Sequence, residues 1–300
     1  MDSKQILAVG SIAYDTIHTP KGNAEHLLGG SATFFSLSAS FYTKVSLIGV
    51  VGTDFSEDSW NILKKFDLDL SSVEIEKGQT FSWGGKYNQD YSHRETLFTN
   101  LGVFENFKPT IKTKYNQPIL YLGNIQPELQ FDVINKVKSP YLIAADTMNL
   151  WIDLFPDDVW NLISKVNIFF INDEEARQLT GEDNLLKISD IFLNKGSEMV
   201  IIKKGSQGSL LATKEYKYNF SVVPNIDVCD PTGAGDSFAG GVLGYIAHYG
   251  LKNAIEAVKH GTAVASYSVS DFGIKNLINL TNEKIQSKKI LVKSTKITKF

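Results

Sequence analysis

The sequence predicts an α/β fold: a doubly wound, mainly parallel sheet flanked by helices, with a small β-lid. Three observations carry this. Six short apolar runs recur along the chain, Gln5–Gly10, Val45–Val51, Pro118–Gly123, Tyr141–Asp146, Val166–Asn172 and Met199–Lys204. Runs that are apolar throughout and bounded by turn residues suit strands covered on both faces, as in a parallel sheet. Helical patterns lie between them, and strands alternating with helices argue a doubly wound sheet. One stretch breaks the alternation with a period of two, which predicts an antiparallel ribbon.

In chain order, Gln5–Gly10 is the first strand, and Ser11–Pro20, rich in Ile, Tyr and Thr, supplies strands to the lid. Ser31–Phe41 reads as a helix with Ala32, Phe35, Ser36 and Ala39 on one face. In Asp54–Phe66, Asp54 and Glu57 stand at capping-box spacing ahead of Trp60 and Leu63. The ribbon runs Thr80–Tyr87 and His93–Thr99, turning at Asn88-Gln89-Asp90. A two-stranded ribbon is marginal alone, so it must pack on something. The expectation is a single α/β domain over residues 1–300, with lid segments at about 11–20 and 80–99. Leu251–Ser268 is a long helical stretch that Asp271-Phe272-Gly273 ends. Lys284–Phe300 holds six lysines and no acid, and reads as a solvated strand or tail.

With 43% hydrophobic residues the chain can form a sizeable core. A net charge of -3 gives no electrostatic reason for a nucleic-acid or membrane partner. One cysteine, Cys229, excludes an internal disulfide and any multi-cysteine metal site. The apolar run Ile6–Val9 is too short for a secretory signal, and no stretch approaches the ~20 apolar residues of a membrane span. The cytoplasm is therefore the expected location.

The chemistry concentrates in Asp230 to Gly241, D-P-T-G-A-G-D-S-F-A-G-G. Pro231-Thr232-Gly233 makes a turn, and a helix follows from about Ala234 to Ala247. The first N–H groups of a helix lack intrahelical acceptors, and the dipole places about half a positive charge there. Glycines at 233 and 235 let an anion approach the backbone, so Gly233, Ala234 and Gly235 form a candidate anion hole. Asp236, in the first turn, is placed to accept a proton from a substrate hydroxyl beside that anion. The local alternative is an acidic residue satisfying the helix dipole.

This string resembles the C-terminal signature of the ribokinase (PfkB) family of carbohydrate kinases. Other landmarks follow in the family's order over nearly the whole chain. Gly29-Gly30 resembles the double glycine that closes over the sugar, and Asp15 matches the early sugar-binding aspartate. Asn172 and Glu175, in N-D-E-E, match the N-x-x-E motif that acts on magnesium and phosphate through water. Lys204-Gly205-Ser206-Gln207-Gly208 resembles the strand-turn-strand beside the nucleotide. The resemblance implies a ribokinase-like fold and transfer of the γ-phosphoryl of ATP to a sugar hydroxyl, with Asp236 as base and Mg2+ present. It also implies a monovalent cation, K+, at Asp230 and Thr232, and a homodimer through the lid. Local readings stand beside these: a capping box ended by Gly181 for Asn172 and Glu175, a turn for Gly29-Gly30, an edge cap for Asp15, and lid packing for Trp83, Tyr87 and Arg94.

One departure bears on the acceptor. The family's double glycine runs G-G-x-x-x-N, and here Phe34 takes the asparagine's place. That keeps open another sugar, a cyclitol or a nucleoside as acceptor, besides a non-catalytic sugar or nucleotide sensor on the same fold. Asp271-Phe272-Gly273 lacks its protein-kinase companions, no P-loop string is present, and the five histidines show no metal spacing.

Overall fold

A computed structural model describes residues 3–298. Its strands in chain order are β1 Ile6–Val9, β2 Ala13–Thr19, β3 Gly22–Gly29, β4 Val45–Gly52, β5 Asp69–Glu76, β6 Ser82–Tyr87 and β7 Arg94–Asn100. They continue with β8 Ile119–Leu122, β9 Leu142–Ala145, β10 Ile168–Asn172, β11 Met199–Lys203, β12 Ser209–Thr213, β13 Lys217–Phe220 and β14 Ser294–Lys296. Ten of them form one sheet in the order β14-β13-β12-β11-β10-β9-β8-β1-β4-β5. From β11 to β5 every pairing is parallel, and β12 to β14 add an antiparallel edge. All six apolar runs are strands of the parallel part.

Side-chain alternation along these strands divides the core in two. Ala8, Tyr121, Phe170 and Ile201 pack with the helices Ser31–Ala39, Ala234–Tyr249 and Ala254–Ser268. Val9, Leu122, Ile171 and Ile202 pack on the opposite face with Pro127–Lys136, Pro156–Ile163, Asp173–Thr180 and Leu185–Lys195. Each fully buried side chain of this size contributes about 1.5–3 kcal/mol, which is why the central strands carry almost no polar residues. Among the described residues no helix is long and apolar enough to cross a membrane.

The second sheet, β3-β2-β6-β7, is the lid. The ribbon Ser82–Tyr87 and Arg94–Asn100 lies where its period-two pattern predicts. Its partner β2 pairs with β6 in parallel, and β3, which the sequence reading did not single out, completes the sheet. Three lid residues reach the loop ahead of Gly233. Lys21 pairs with Asp227 at 2.8 Å, Tyr87 Oη lies 3.0 Å from Thr232 Oγ1, and Tyr91 Oη donates to Val228 O at 3.1 Å.

Some local expectations change. The cap of helix Glu57–Lys65 is Ser56, whose hydroxyl accepts from Ser59 N, and not Asp54. Asp54 Oδ1 instead accepts from Thr80 N and Thr80 Oγ1, both at 2.7 Å, tying the lid entry to the end of β4. The helix from Ser31 stops at Ala39. The lysine-rich terminus is a helix, Asn282–Lys289, followed by β14, with residues 299–300 outside the described region.

Candidate active site

The parallel strands deliver their carboxyl ends to one edge of the sheet, where Gly10, Gly123, Asp146, Asn172 and Lys203 follow β1, β8, β9, β10 and β11 or end them. The chain order reverses between β1 and β8. In open α/β sheets a crevice forms outside the strand ends at such a reversal.

The signature helix begins at this edge. Gly233 caps Ala234–Tyr249 with φ 72° and ψ 4°, a left-handed conformation that glycine adopts without a Cβ clash. A methyl group there would lie 2.3 Å from Phe34 Cγ. Phe34 is thus buried against the turn, its ring on the Gly233 backbone. Ala234 N–H turns back onto Pro231 O at 3.2 Å. Gly235 and Asp236 therefore carry the N–H groups that this helix start offers an anion. Asp236 keeps some solvent access but is densely surrounded. Burial, with Asp146 and Asp15 adding to it against Lys203, pushes its carboxyl up to about 8.

At the other end, Asp15 is buried on the lid strand β2. A methyl on Gly29 would fall 2.0 Å from Asp15 Oδ2, so the absent side chain is the space the carboxyl occupies. Gly30, at φ 92°, caps the helix Ser31–Ala39. Burial and the neighbouring Asp230 raise Asp15 to about 7, opposed by the Gly30 N–H and Arg94. Arg94 on β7 stacks over the Trp83 ring at 5.0 Å, so its charge is felt at Asp15 from the lid.

Asn172 and Glu175 form a complete capping box: Asn172 Oδ1 accepts from Glu175 N at 2.8 Å, and Glu175 Oε2 accepts from Asn172 N at 2.9 Å. Gly181 ends the helix in the left-handed region, φ 68°. The local reading of these residues therefore holds. Glu175 is nonetheless buried at the strand edge, and burial raises it to about 7 against the pull of Lys203. Asp230 Oδ1 accepts from Thr232 N and Oδ2 from Gly273 N, both at 2.9 Å, so Asp230 and the Asp271-Phe272-Gly273 turn brace the loop ahead of Gly233. Lys204 faces away from that loop, with Nζ on Asn219 Oδ1 at 3.1 Å. Gly205, at φ 52°, and Gly208, at φ 84°, make the turn between β11 and β12.

Three residues absent from the sequence reading complete the site. Lys203 pairs with buried Asp146 at 2.5 Å, and its Nζ would lie 3.1 Å from a methyl on Gly235. Tyr121 is stacked on Phe35 at 3.6 Å, fully buried, with its hydroxyl unpartnered among the described residues. Strand alternation was the available signal for Lys203. It shares a face with Met199 and Ile201, which pack beside the Gly233 helix, and Lys204 does not.

Residues 3–280 match the pfkB family carbohydrate kinase profile. The cytidine kinase of Thermococcus kodakarensis is 28% identical over 85% of this chain and 96% of its own length. The nucleoside kinase of Methanocaldococcus jannaschii is 26% identical over 76% of this chain and 74% of its own. The crystal structure of a Methanocaldococcus jannaschii nucleoside kinase superposes with a TM-score of 0.78 at 23% identity, covering 96% of this chain and 99% of that one, a likeness of fold. The chain belongs to the pfkB family of carbohydrate kinases and is a phosphotransferase with an alcohol group as acceptor.

Proposed function

We propose that the enzyme transfers the γ-phosphoryl of ATP to a hydroxyl of a sugar unit carried in a nucleoside, with Asp236 as base. The observation that carries the transfer is the helix start itself. An N-terminus without side chains at Gly233 and Gly235 carries the Asp236 carboxylate in its first turn, as phosphoryl transfer requires. The nucleoside is supported by the cytidine and nucleoside kinases matched over most of the chain, and by Phe34, which sets an apolar ring where the family has asparagine. Free sugars are the second reading.

In this scheme Asp15 and the Gly29-Gly30 turn hold the acceptor under the lid, and the Gly235 and Asp236 N–H groups receive the γ-phosphate. The nucleotide lies along Lys204, Gly205 and Gly208. Asp236 takes the hydroxyl proton as the oxygen attacks, and its raised carboxyl is suited to that task near neutral pH. Among the described residues no three His, Cys, Asp or Glu side chains converge as a metal cluster. Mg2+ would keep water and phosphate oxygens as ligands, and Asn172 and buried Glu175 are the residues that would meet it through water. When bound, Mg2+ neutralises charge developing on the phosphates. Asp230 and Thr232 are the candidates for a K+ that steadies the loop, and a homodimer through the lid remains part of the proposal.

ADP formation measured over nucleosides and free sugars side by side tests the acceptor. Transfer to free sugars alone would reject the nucleoside. Asp236→Asn should lower kcat by ~10²-fold or more, and a variant with kcat near wild type would remove Asp236 as the base.

A further inference from the structure

Lys203 is hard to explain as a core residue. It ends a strand whose other members are apolar, and its side chain is only 18% exposed. Burial works against its charge, but the carboxylates of Asp146, Glu175 and Asp236 outweigh that and hold it above the ordinary lysine value. The ammonium therefore stays positive in a setting that disfavours charge. Its place is fixed from one side. Asp146 Oδ2 accepts from Nζ at 2.5 Å, while Asp146 Oδ1 accepts from Thr147 N at 3.0 Å and its carbonyl from Gln130 Nε2 at 3.0 Å. The clamp is thus itself clamped.

An ammonium has three donors. Among the described residues Asp146 is the one hydrogen-bond partner of Lys203 Nζ, so two donors are open on a largely buried cation. Gly235 of the candidate anion hole adjoins it: a methyl group there would sit 3.1 Å from Nζ. Any residue but glycine at 235 would stand between this charge and the helix start.

We infer that Lys203, held by Asp146, is a catalytic residue of the transfer reaction: its open donors take an oxygen of the transferred phosphoryl at the Gly235 end of the anion hole. The assignment rests on the proposed phosphoryl transfer. Charge builds on the equatorial oxygens as the phosphoryl moves, and a fixed donor in a water-poor site stabilises that charge without reorganising. The helix start supplies partial charges from one direction, and Lys203 a full charge from another. The opposing reading makes Lys203 the counterion of Asp146 and nothing more.

The two readings part in a double-mutant cycle. Lys203→Met should lower kcat by about 10²–10³-fold, the cost of removing one such donor, and leave the acceptor KM within about threefold. Asp146→Asn should lower kcat by about tenfold, since the cation stays and its clamp goes. A counterion's loss is cured by removing its partner too, because no unpaired buried charge remains. The double variant Lys203→Met/Asp146→Asn should therefore stay as slow as Lys203→Met. Recovery of the double variant to near wild type would overturn the assignment, as would Lys203→Met with unchanged kcat. The double variant also covers the case in which Lys203→Met alone does not fold.

A second measurement is independent of the acceptor. Binding of ADP with aluminium fluoride, a mimic of the moving phosphoryl, should weaken at least tenfold in the double variant while binding of ADP alone changes little. Equal weakening of both, or of neither, rejects the role. A wild type that forms no ADP with any acceptor would sink the transfer reading instead, and the fluoroaluminate titration would still decide the role of Lys203.

Discussion

At Gly29 and Asp15 one residue's side chain occupies the room that the other lacks, and this contact turns a motif into geometry. Gly29→Ala places a methyl 2.0 Å from Asp15 Oδ2, so the carboxyl must leave its position on the lid. The expected result is a rise in acceptor KM of about tenfold or more, with ADP affinity unchanged. Overpacking should cost about 1–3 kcal/mol of stability, read by denaturant unfolding. Lys203 shows where residue-level reading fails. Lys203 ends β11 and Lys204 follows it, and the family resemblance of Lys204–Gly208 points to Lys204. Strand alternation separates the two, but which face meets the Gly233 helix depends on packing 30 residues further along. Asp146 was hidden in the same way, as the polar residue that bounds an apolar run.

The helix Asp173–Thr180 carries two candidate roles on its first residues, and they separate by substitution. Asn172→Ser replaces the amide oxygen with a hydroxyl oxygen still able to accept from Glu175 N, so stability should change by only a few tenths of a kcal/mol. If Asn172 also orders the water around Mg2+, the Mg2+ concentration for half-maximal rate should rise severalfold. An unchanged Mg2+ dependence would leave Asn172 as a cap alone. The elements legible in the sequence are those whose burial is uniform. β1, β4 and β8 to β11 are apolar apart from Ser46, Asn172 and Lys203, because helices cover both faces. β3 and β5 mix exposed and buried positions, so neither a continuous run nor a clean alternation marks them. The signature at Asp230 to Gly241 was legible because turn, glycines and carboxylate are adjacent in the chain. The brace from Gly273 N to Asp230 spans 43 residues, and no local pattern reports it.

For the whole molecule, the site sets an unusual dependence of stability on pH. Asp236 at about 8, Asp15 at about 7 and Glu175 at about 7 hold protons in the folded state that the unfolded chain has already released. Such groups favour folding at low pH, and that stability is lost as pH rises through the folded values. His260, depressed to about 4 by burial, opposes them only as pH falls below 6.5. The melting temperature should therefore increase when the ligand-free protein is taken from pH 8.5 to 6.5, and Asp236→Asn should reduce that slope while melting higher at pH 8. A melting temperature flat across that interval would contradict the buried carboxylates. The lid's three contacts with the loop ahead of Gly233, from Lys21, Tyr87 and Tyr91, add a consequence for the order of events. Opening of the lid would give up these contacts at the phosphate end, so on the proposed transfer the site would be complete only with the lid down. If the proposed transfer holds, ATP arriving first would meet an unfinished site, and idle hydrolysis is expected to be slow for that reason. Replacing Tyr87 and Tyr91 by phenylalanine should uncouple the two events, visible as a larger share of ATP lost to water per acceptor phosphorylated.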